Sequence, residues 1–336
     1  MVIQRLFFAF SILTGLIIFS YNVDFVKAQQ ENFDCNKVAE IPKTECEALV
    51  TIYHLTDGLN WRKNEYWLIT NTPCSWYGVK CEAGHVTALQ LINNKLNGTI
   101  PGKISDLPNL TELALSQNPH LTGDIPPELG QLIYLEELSL NDTGLSGHIP
   151  PELGQLSNLE ILSLDYTQLS GNIPRELSYL SQLKHLDLFS TDIDGKIPPE
   201  IGNLTKLELL AVGCTELSGN IPPELGQLTN LKYLLFSCYP GQHSRSHFTG
   251  PLPQNLVNLK NLEQLWIENG KLCEPGNEEF QSWLSNIKQV NRSGIICDVP
   301  AQLPETGKTQ SVNFSLGAIK LGCFLLFLGQ LIRLLF

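Results

Sequence analysis

From Val86 onward the apolar residues of the chain return with a fixed period. Eight units begin at Val86, Leu110, Leu135, Leu159, Leu183, Leu207, Leu231 and Leu262, with successive offsets of 24, 25, 24, 24, 24, 24 and 31 residues. Within each unit positions one, four and six are apolar, position nine is polar and position eleven is apolar. In the fourth unit these are Leu159, Leu162, Leu164, Thr167 and Leu169, followed by Gly171, Ile173, Pro174, Leu177 and Leu180. The alternation at positions four and six predicts a short strand with one face inward. The glycine and the Ile-Pro step predict a turn, because proline fixes its own backbone angle and biases its predecessor toward extended conformations.

One unit cannot bury its own leucines, so neighbours must stack into a continuous core with a parallel sheet along one side. The predicted product is a curved solenoid with a concave face. Eight strands at a spacing of ~4.8 Å give a sheet roughly 35 Å long, enough for a peptide, a glycan or a protein surface. Positions two, three, five, seven and eight of each unit point away from the core. The larger residues there are Glu136, Glu137, Asp165, Tyr166, His185, Asp187, Phe189, Tyr233 and Trp266. Carboxylates mixed with exposed aromatic rings suit a cationic peptide or a sugar.

The unit LxxLxLxxTxLxGxIPxELGxL, together with CSWYGVKC from Cys74 to Cys81, resembles the plant-type leucine-rich-repeat ectodomains. That family includes receptor-like proteins, polygalacturonase inhibitors and similar bacterial surface proteins, and the resemblance covers Cys35 to Cys297. It implies an α/β fold: a right-handed solenoid of eight repeats with a parallel β-sheet on the concave face and disulfide-bonded caps. Position nine departs from the family's asparagine. It is Thr143, Thr167, Thr191 and Thr215 in the middle units, with Asn94 and Asn118 at the start. A hydroxyl offers fewer hydrogen bonds than an amide, so the ladder inside the turn should be altered.

A solenoid exposes its core at both ends, and terminal segments must cover it. Before the repeats, Thr44 and Glu47 form a capping-box pattern ahead of an apolar face of Leu49, Ile52, Tyr53 and Leu55. After them, Glu278 to Ile287 reads as a helix with Phe280, Trp283, Leu284 and Ile287 on one side. Trp61, Trp67, Trp76 and Trp283 fall in these caps and are expected to cover the core. Of nine cysteines, eight precede residue 300. An even count in an oxidising compartment favours disulfides, and no CxxC or CxxH spacing suggests zinc. Closeness and the family resemblance pair Cys35 with Cys46 and Cys74 with Cys81, and Cys273 and Cys297 flank the second helix. Cys214 and Cys238 both occupy position eight, so stacking should place them one strand spacing apart, ~4.8 Å, within disulfide range.

Residues 1–28 carry Arg5, an apolar run from Leu6 to Ser20 and small residues before Gln29, as in a secretory signal peptide. Removing them makes the formal charge, −12 for the whole chain, one unit more negative. Such acidity repels phosphate backbones, so nucleic acid is not an expected partner. The expected organisation continues with an N-terminal cap at 29–85, repeats at 86–272, a C-terminal cap at 273–300 and a polar linker at 301–315. An apolar segment at 316–336 ends it. The linker contains LPETG, Leu303 to Gly307, which resembles a sortase signal. A lipid-anchor signal and a membrane span are the other readings, and all three hold the repeats at the cell surface. No kinase-like segment follows, so any signalling is expected to need a partner.

The seventh unit carries seven extra residues between Cys238 and Phe248. His243, Arg245 and His247 make that insertion a locally basic spot, and such loops often contribute to binding. The seven histidines are scattered, and no nucleophile elbow, HExxH or phosphate loop occurs, so neither catalysis, cofactor nor metal is expected. The expected function is recognition of a protein, peptide or glycan on the concave face. A structural or adhesive role and inhibition of a cell-wall hydrolase are the alternatives.

Overall fold

The computed structural model describes residues 33–238, 245–268 and 271–297. The segments read above as signal peptide, LPETG linker and apolar C-terminal segment lie outside them, as does His243. Among the described residues no helix is long and apolar enough to cross a membrane.

The predicted strands form one ten-stranded sheet. Its strands are β1 (Val79–Glu82), β2 (His85–Gln90), β3 (Glu112–Ala114), β4 (Glu137–Ser139), β5 (Ile161–Ser163), β6 (His185–Asp187), β7 (Leu209–Ala211), β8 (Tyr233–Leu235), β9 (Gln264–Trp266) and β10 (Gln289–Asn291). β1 runs antiparallel to β2 and every later pairing is parallel. The register is the repeat itself: Leu162, Leu186, Leu210, Leu234 and Leu265 lie side by side, all buried. Eight strands were expected from the repeats. The two additional ones belong to the caps, where β1 and β10 pair with the outer edges of the sheet and cover groups that would otherwise be open for association.

A second sheet stands where the sequence predicts only a turn. The segments Asn97–Thr99, His120–Asp124, Gly144–His148, Gln168–Asn172 and Asp192–Asp194 pair in parallel as five strands. Once extended segments are stacked a repeat apart, their amides and carbonyls meet those of the next unit and satisfy each other. After each Ile-Pro step of the repeats a five-residue 3₁₀ helix follows, such as Pro151–Gln155, its leucine buried. The glycine that closes this helix sits against the next unit. A Cβ at Gly154 would lie 2.3 Å from the Glu176 carbonyl oxygen, which sets how closely the units stack.

Inside the turns the two kinds of position-nine residue behave differently. Asn118, fully buried, donates from Nδ2 to the carbonyls of Leu91, Leu115 and Ser116 and accepts at Oδ1 from the amides of Asn94 and Leu96. Thr143, Thr167 and Thr191 each donate once, to the carbonyl three residues back. Thr215 does the same and also accepts from the Leu217 amide at 3.4 Å. The side-chain contribution therefore shrinks in the middle units.

Helix α1 (Lys43–Leu55) covers the start of the core, but without the expected capping box. The helix starts at Lys43 with Pro42 at the N-cap, so Thr44 falls inside the first turn and makes no capping bond. Glu47 pairs instead with Lys43 at 3.7 Å and Lys103 at 3.2 Å. Leu49, Ile52 and Tyr53 are buried as expected, whereas Leu55 is exposed at the helix end. Trp61, Trp67 and Trp76 are buried and pack on one another and Tyr53. Buried Glu45 ties this cap to the sheet through His85 Nδ1 and the Val86 amide. At the far end α2 (Glu278–Asn286) buries Phe280, Trp283 and Leu284, with Asn277 capping it through the Phe280 amide. Four disulfides join Cys35 to Cys46, Cys74 to Cys81, Cys214 to Cys238 and Cys273 to Cys297.

Candidate functional site: the concave face

Because side chains alternate across a strand, positions three, five and seven of every unit share the outer face of the ten-stranded sheet. Position five forms one continuous row in which Asp187, Ala211, Leu235, Trp266 and Asn291 are register partners. Position seven adds Asp165, Phe189, Gly213 and Ser237. Across these rows the face divides into a carboxylate part and an apolar part.

The carboxylate part holds Asp142, Asp165 and Asp187. None of the three has a cationic partner within 4.0 Å among the described residues. Burial is the largest cause that pushes the Asp165 carboxyl well above the ordinary carboxylate range, and the Asp187 charge adds to it. Burial raises Asp187 and Asp142 as well. The Asp187 carboxylate accepts from the Phe189 amide at 3.0 Å, which opposes the rise. Beside them the His185 imidazole is pushed down, again chiefly by burial. Glu137 is already engaged, accepting from Ser139 Oγ at 2.7 Å. Position two is likewise satisfied, since Lys184 pairs with Glu160, Lys232 with Glu208 and Lys288 with Glu263. Glu136, at the same position, is exposed.

These directions carry a testable sign. A carboxyl raised in the folded chain keeps its proton where the unfolded chain has lost it, so between about pH 4 and neutrality stability falls as pH rises. Asp165→Asn removes that loss. The variant should be more stable than its parent at neutral pH, with the difference closing toward about pH 4 in urea denaturation. A displacement of the titration by one pH unit corresponds to about 1.4 kcal/mol.

The apolar part consists of Phe189, Ala211, Cys214, Cys238 and Trp266, with Leu209 and Leu235 packed against them. Phe189 and Trp266 were expected to be exposed rings. They are each only 4% exposed, which corrects that reading. Neighbouring outward positions in units six and seven are aliphatic, and the Cys214–Cys238 bridge, with Cα atoms 4.8 Å apart, belongs to the same cluster. Gly213 lets this happen, because a Cβ there would lie 2.2 Å from the Ser237 carbonyl oxygen and 3.0 Å from Phe189 Cε2. Tyr166 remains exposed at 43%, its ring 5.9 Å from that of Phe189, and Tyr233 is half-buried in the third-position row.

The structure thus brings Asp165, Tyr166, His185, Asp187, Phe189, Tyr233 and Trp266 onto one face, with Glu137 farther along it. Asp142, Leu209, Ala211, Leu235, Gly213 and Ser237 were missed. The signal for the aliphatic ones was present, since Leu209, Ala211 and Leu235 occupy outward positions where a solvated face would carry polar residues.

Of the basic residues read in the insertion, the two described ones, Arg245 and His247, face acidic partners. Arg245 pairs with Asp192 at 2.5 Å and with Glu216 at 2.8 Å, and His247 Nε2 lies 3.2 Å from Glu216 Oε2. The acidic partners come from position ten of the two preceding units, a juxtaposition visible only once the units are stacked.

The family described as a leucine-rich repeat region matches residues 85–313. The chain belongs to that family. Among curated proteins it is 39% identical over 89 residues to a leucine-rich repeat receptor-like serine/threonine-protein kinase of Arabidopsis thaliana. It is 36% identical over 86 residues to a polygalacturonase inhibitor of Vitis vinifera. These matches cover 26% and 24% of the chain, and only 8% and 26% of those proteins. Among solved structures, the Arabidopsis receptor kinase HAESA in complex with the peptide hormone IDA and a co-receptor superposes with a TM-score of 0.62 at 27% identity. That match covers 74% of this chain and 41% of the receptor chain.

Proposed function

We propose that the protein is an extracellular recognition module that binds a protein or peptide ligand on its concave face. One observation carries this reading. The sheet's outer face joins desolvated carboxylates, without a cationic partner among the described residues, to an apolar cluster, and a solvated structural surface has no use for either. Four disulfides fit an exported chain, and the peptide hormone bound to the similar receptor fits the ligand class. Residues 1–28 supply export and residues 316–336 retention at the surface. Inhibition of a cell-wall hydrolase is a second reading, favoured by the polygalacturonase inhibitor among the similar proteins. It also makes the ligand a protein.

The test compares capture of extracellular peptides and proteins by the parent, by a Tyr166→Ala, Tyr233→Ala double variant and by Tyr179→Ala. Tyr166 is 43% exposed on the concave side, and Tyr179, 65% exposed, ends a 3₁₀ helix away from the concave sheet. Capture should fall at least tenfold, about 1.4 kcal/mol, in the double variant and stay unchanged in Tyr179→Ala. Equal capture by all three contradicts the reading.

A further inference from the structure

One side of the N-terminal cap is turned away from the core. In the loop between Arg62 and Tyr77, Tyr66 and Ile69 are 56% and 57% exposed. Hydrogen bonds fasten this loop along the first repeat. The Arg62 amide donates to the Asn94 carbonyl, the Lys63 amide donates to Asn94 Oδ1, and Asn94 Nδ2 donates back to the Lys63 carbonyl. Farther on, the Tyr77 amide donates to the Glu65 carbonyl and the Gln90 amide to the Gly78 carbonyl. Ile92, an outward residue of the first unit and 37% exposed, lies between these two attachments and so beside the loop. Exposed apolar side chains are ordinary when scattered, but here three are held together. The backbone of Tyr66 and Leu68 is left-handed, with φ of 69° and 56°, which bulky residues rarely adopt. Trp67 between them enforces it, since it is fully buried and its Nε1 donates to the Tyr77 carbonyl. A loop fixed in this way loses little backbone freedom when a partner binds.

The charge of this surface is opposite to that of the chain. Residues 58–80 carry Arg62, Lys63 and Lys80 against Glu65, whereas the whole chain has a formal charge of −12. Lys95 follows Asn94 and so adjoins Arg62 and Lys63. Lys80 reaches Glu112 at 4.0 Å, but Arg62, Lys63 and Lys95 are exposed and form no ion pair among the described residues. Lys63 Nζ lies 5.0 Å from the centre of the Tyr77 ring.

We propose that this rim of the N-terminal cap is a second docking surface, for a protein segment that presents carboxylates beside apolar side chains. Arg62, Lys63 and Lys95 meet the carboxylates, and Tyr66, Ile69 and Ile92 cover the apolar groups. Two other occupants fit less well. A second copy related by a two-fold axis would set the same cations against one another. A long polyanion would run on from the cap along an acidic chain and be repelled there, and it offers Ile69 and Ile92 no apolar area. A short acidic segment responds to the local cations, because exposed charges more than ~10 Å away are largely screened.

The experiment uses the full chain and short synthetic peptides, acetylated and amidated at their ends, in which glutamates flank a leucine and a phenylalanine in varied order. Each has a twin with glutamine in place of glutamate. Binding is compared for the parent, an Arg62→Glu, Lys63→Glu double variant, Ile69→Ser, and a control carrying Lys196→Glu and Lys260→Glu. The control reverses two exposed lysines of later repeats and so has the net charge of the first double variant. The parent should bind glutamate peptides at least about tenfold more tightly than their twins, a preference that shrinks as salt is raised. That preference should vanish in the cap double variant and persist in the control. Ile69→Ser should weaken a peptide and its twin by similar factors, since it removes apolar contact and no charge. Because the glutamine change is made in the peptide, it reads out whether or not a variant folds. Peptides that bind no better than their twins, double variants that bind alike, or an Ile69→Ser variant that binds like the parent would each overturn the proposal. Equally tight binding of leucine-free polyglutamate or of a polyuronate would overturn it too, in favour of a polyanion site, as would binding of none of the peptides. None of these outcomes bears on the concave-face reading, which uses other residues.

Discussion

Trp266→Ala should lose about 3 kcal/mol of stability or more, measured as a shift in the denaturation midpoint, even though its position faces outward from the repeat core. Fully burying a large aromatic ring removes it from water as effectively on the outer face of a sheet as on the inner one. Trp266 is only 4% exposed and belongs to a cluster with Phe189, Ala211, Cys214 and Cys238 that is separate from the leucine core. Phe189→Ala should behave alike. Neither is a clean probe of binding, because loss of capture in either variant would combine loss of fold with loss of contact. The exposed ring of Tyr166 is the better reporter.

The second large effect lies in the turns. Asn118→Ala should cost at least about 3 kcal/mol, because it removes a hydrogen bond from two amides and three carbonyls at once, of which the Ser116 carbonyl keeps the Asn93 amide. Thr191→Val, which removes a single bond to the Leu188 carbonyl, should cost about 1 kcal/mol. Measured side by side in urea, the ratio of the two tests whether threonine at position nine weakens the ladder. Equal losses would mean that packing, not hydrogen bonding, sets the cost at both places.

Much of the solenoid is legible from the sequence because stacking repeats the same requirement at each unit. A leucine that must touch its counterpart one period away cannot vary, so Leu162, Leu186, Leu210 and Leu234 announce their own register. The same logic places Cys214 beside Cys238. The second sheet is not legible, since residues such as Ser146, Gly147 and His148 have no inward pattern. Their extended conformation is fixed by hydrogen bonds to neighbouring units. The capping box failed for a local reason, as Pro42 places the helix start one residue ahead of Thr44. For the concave face, sequence position gives which side a residue faces and not whether it is covered. Phe189 is buried because Gly213, one unit on in the same row, leaves space for its ring, a relation between positions 24 residues apart. The raised Asp165 carboxyl likewise depends on adjacent units, since the charges of Asp187 and Asp142 add to the effect of its burial.

The measurement that tests ligand recognition on the concave face most directly is site-specific photo-cross-linking with a benzophenone amino acid. It is placed at Tyr166 in one variant and at Tyr179 in another, with the best-captured peptide as the target. A cross-linked product is expected from Tyr166, suppressed by excess unlabelled peptide, and none from Tyr179. A product from Tyr179 and none from Tyr166 would move the ligand off the concave face and contradict the account.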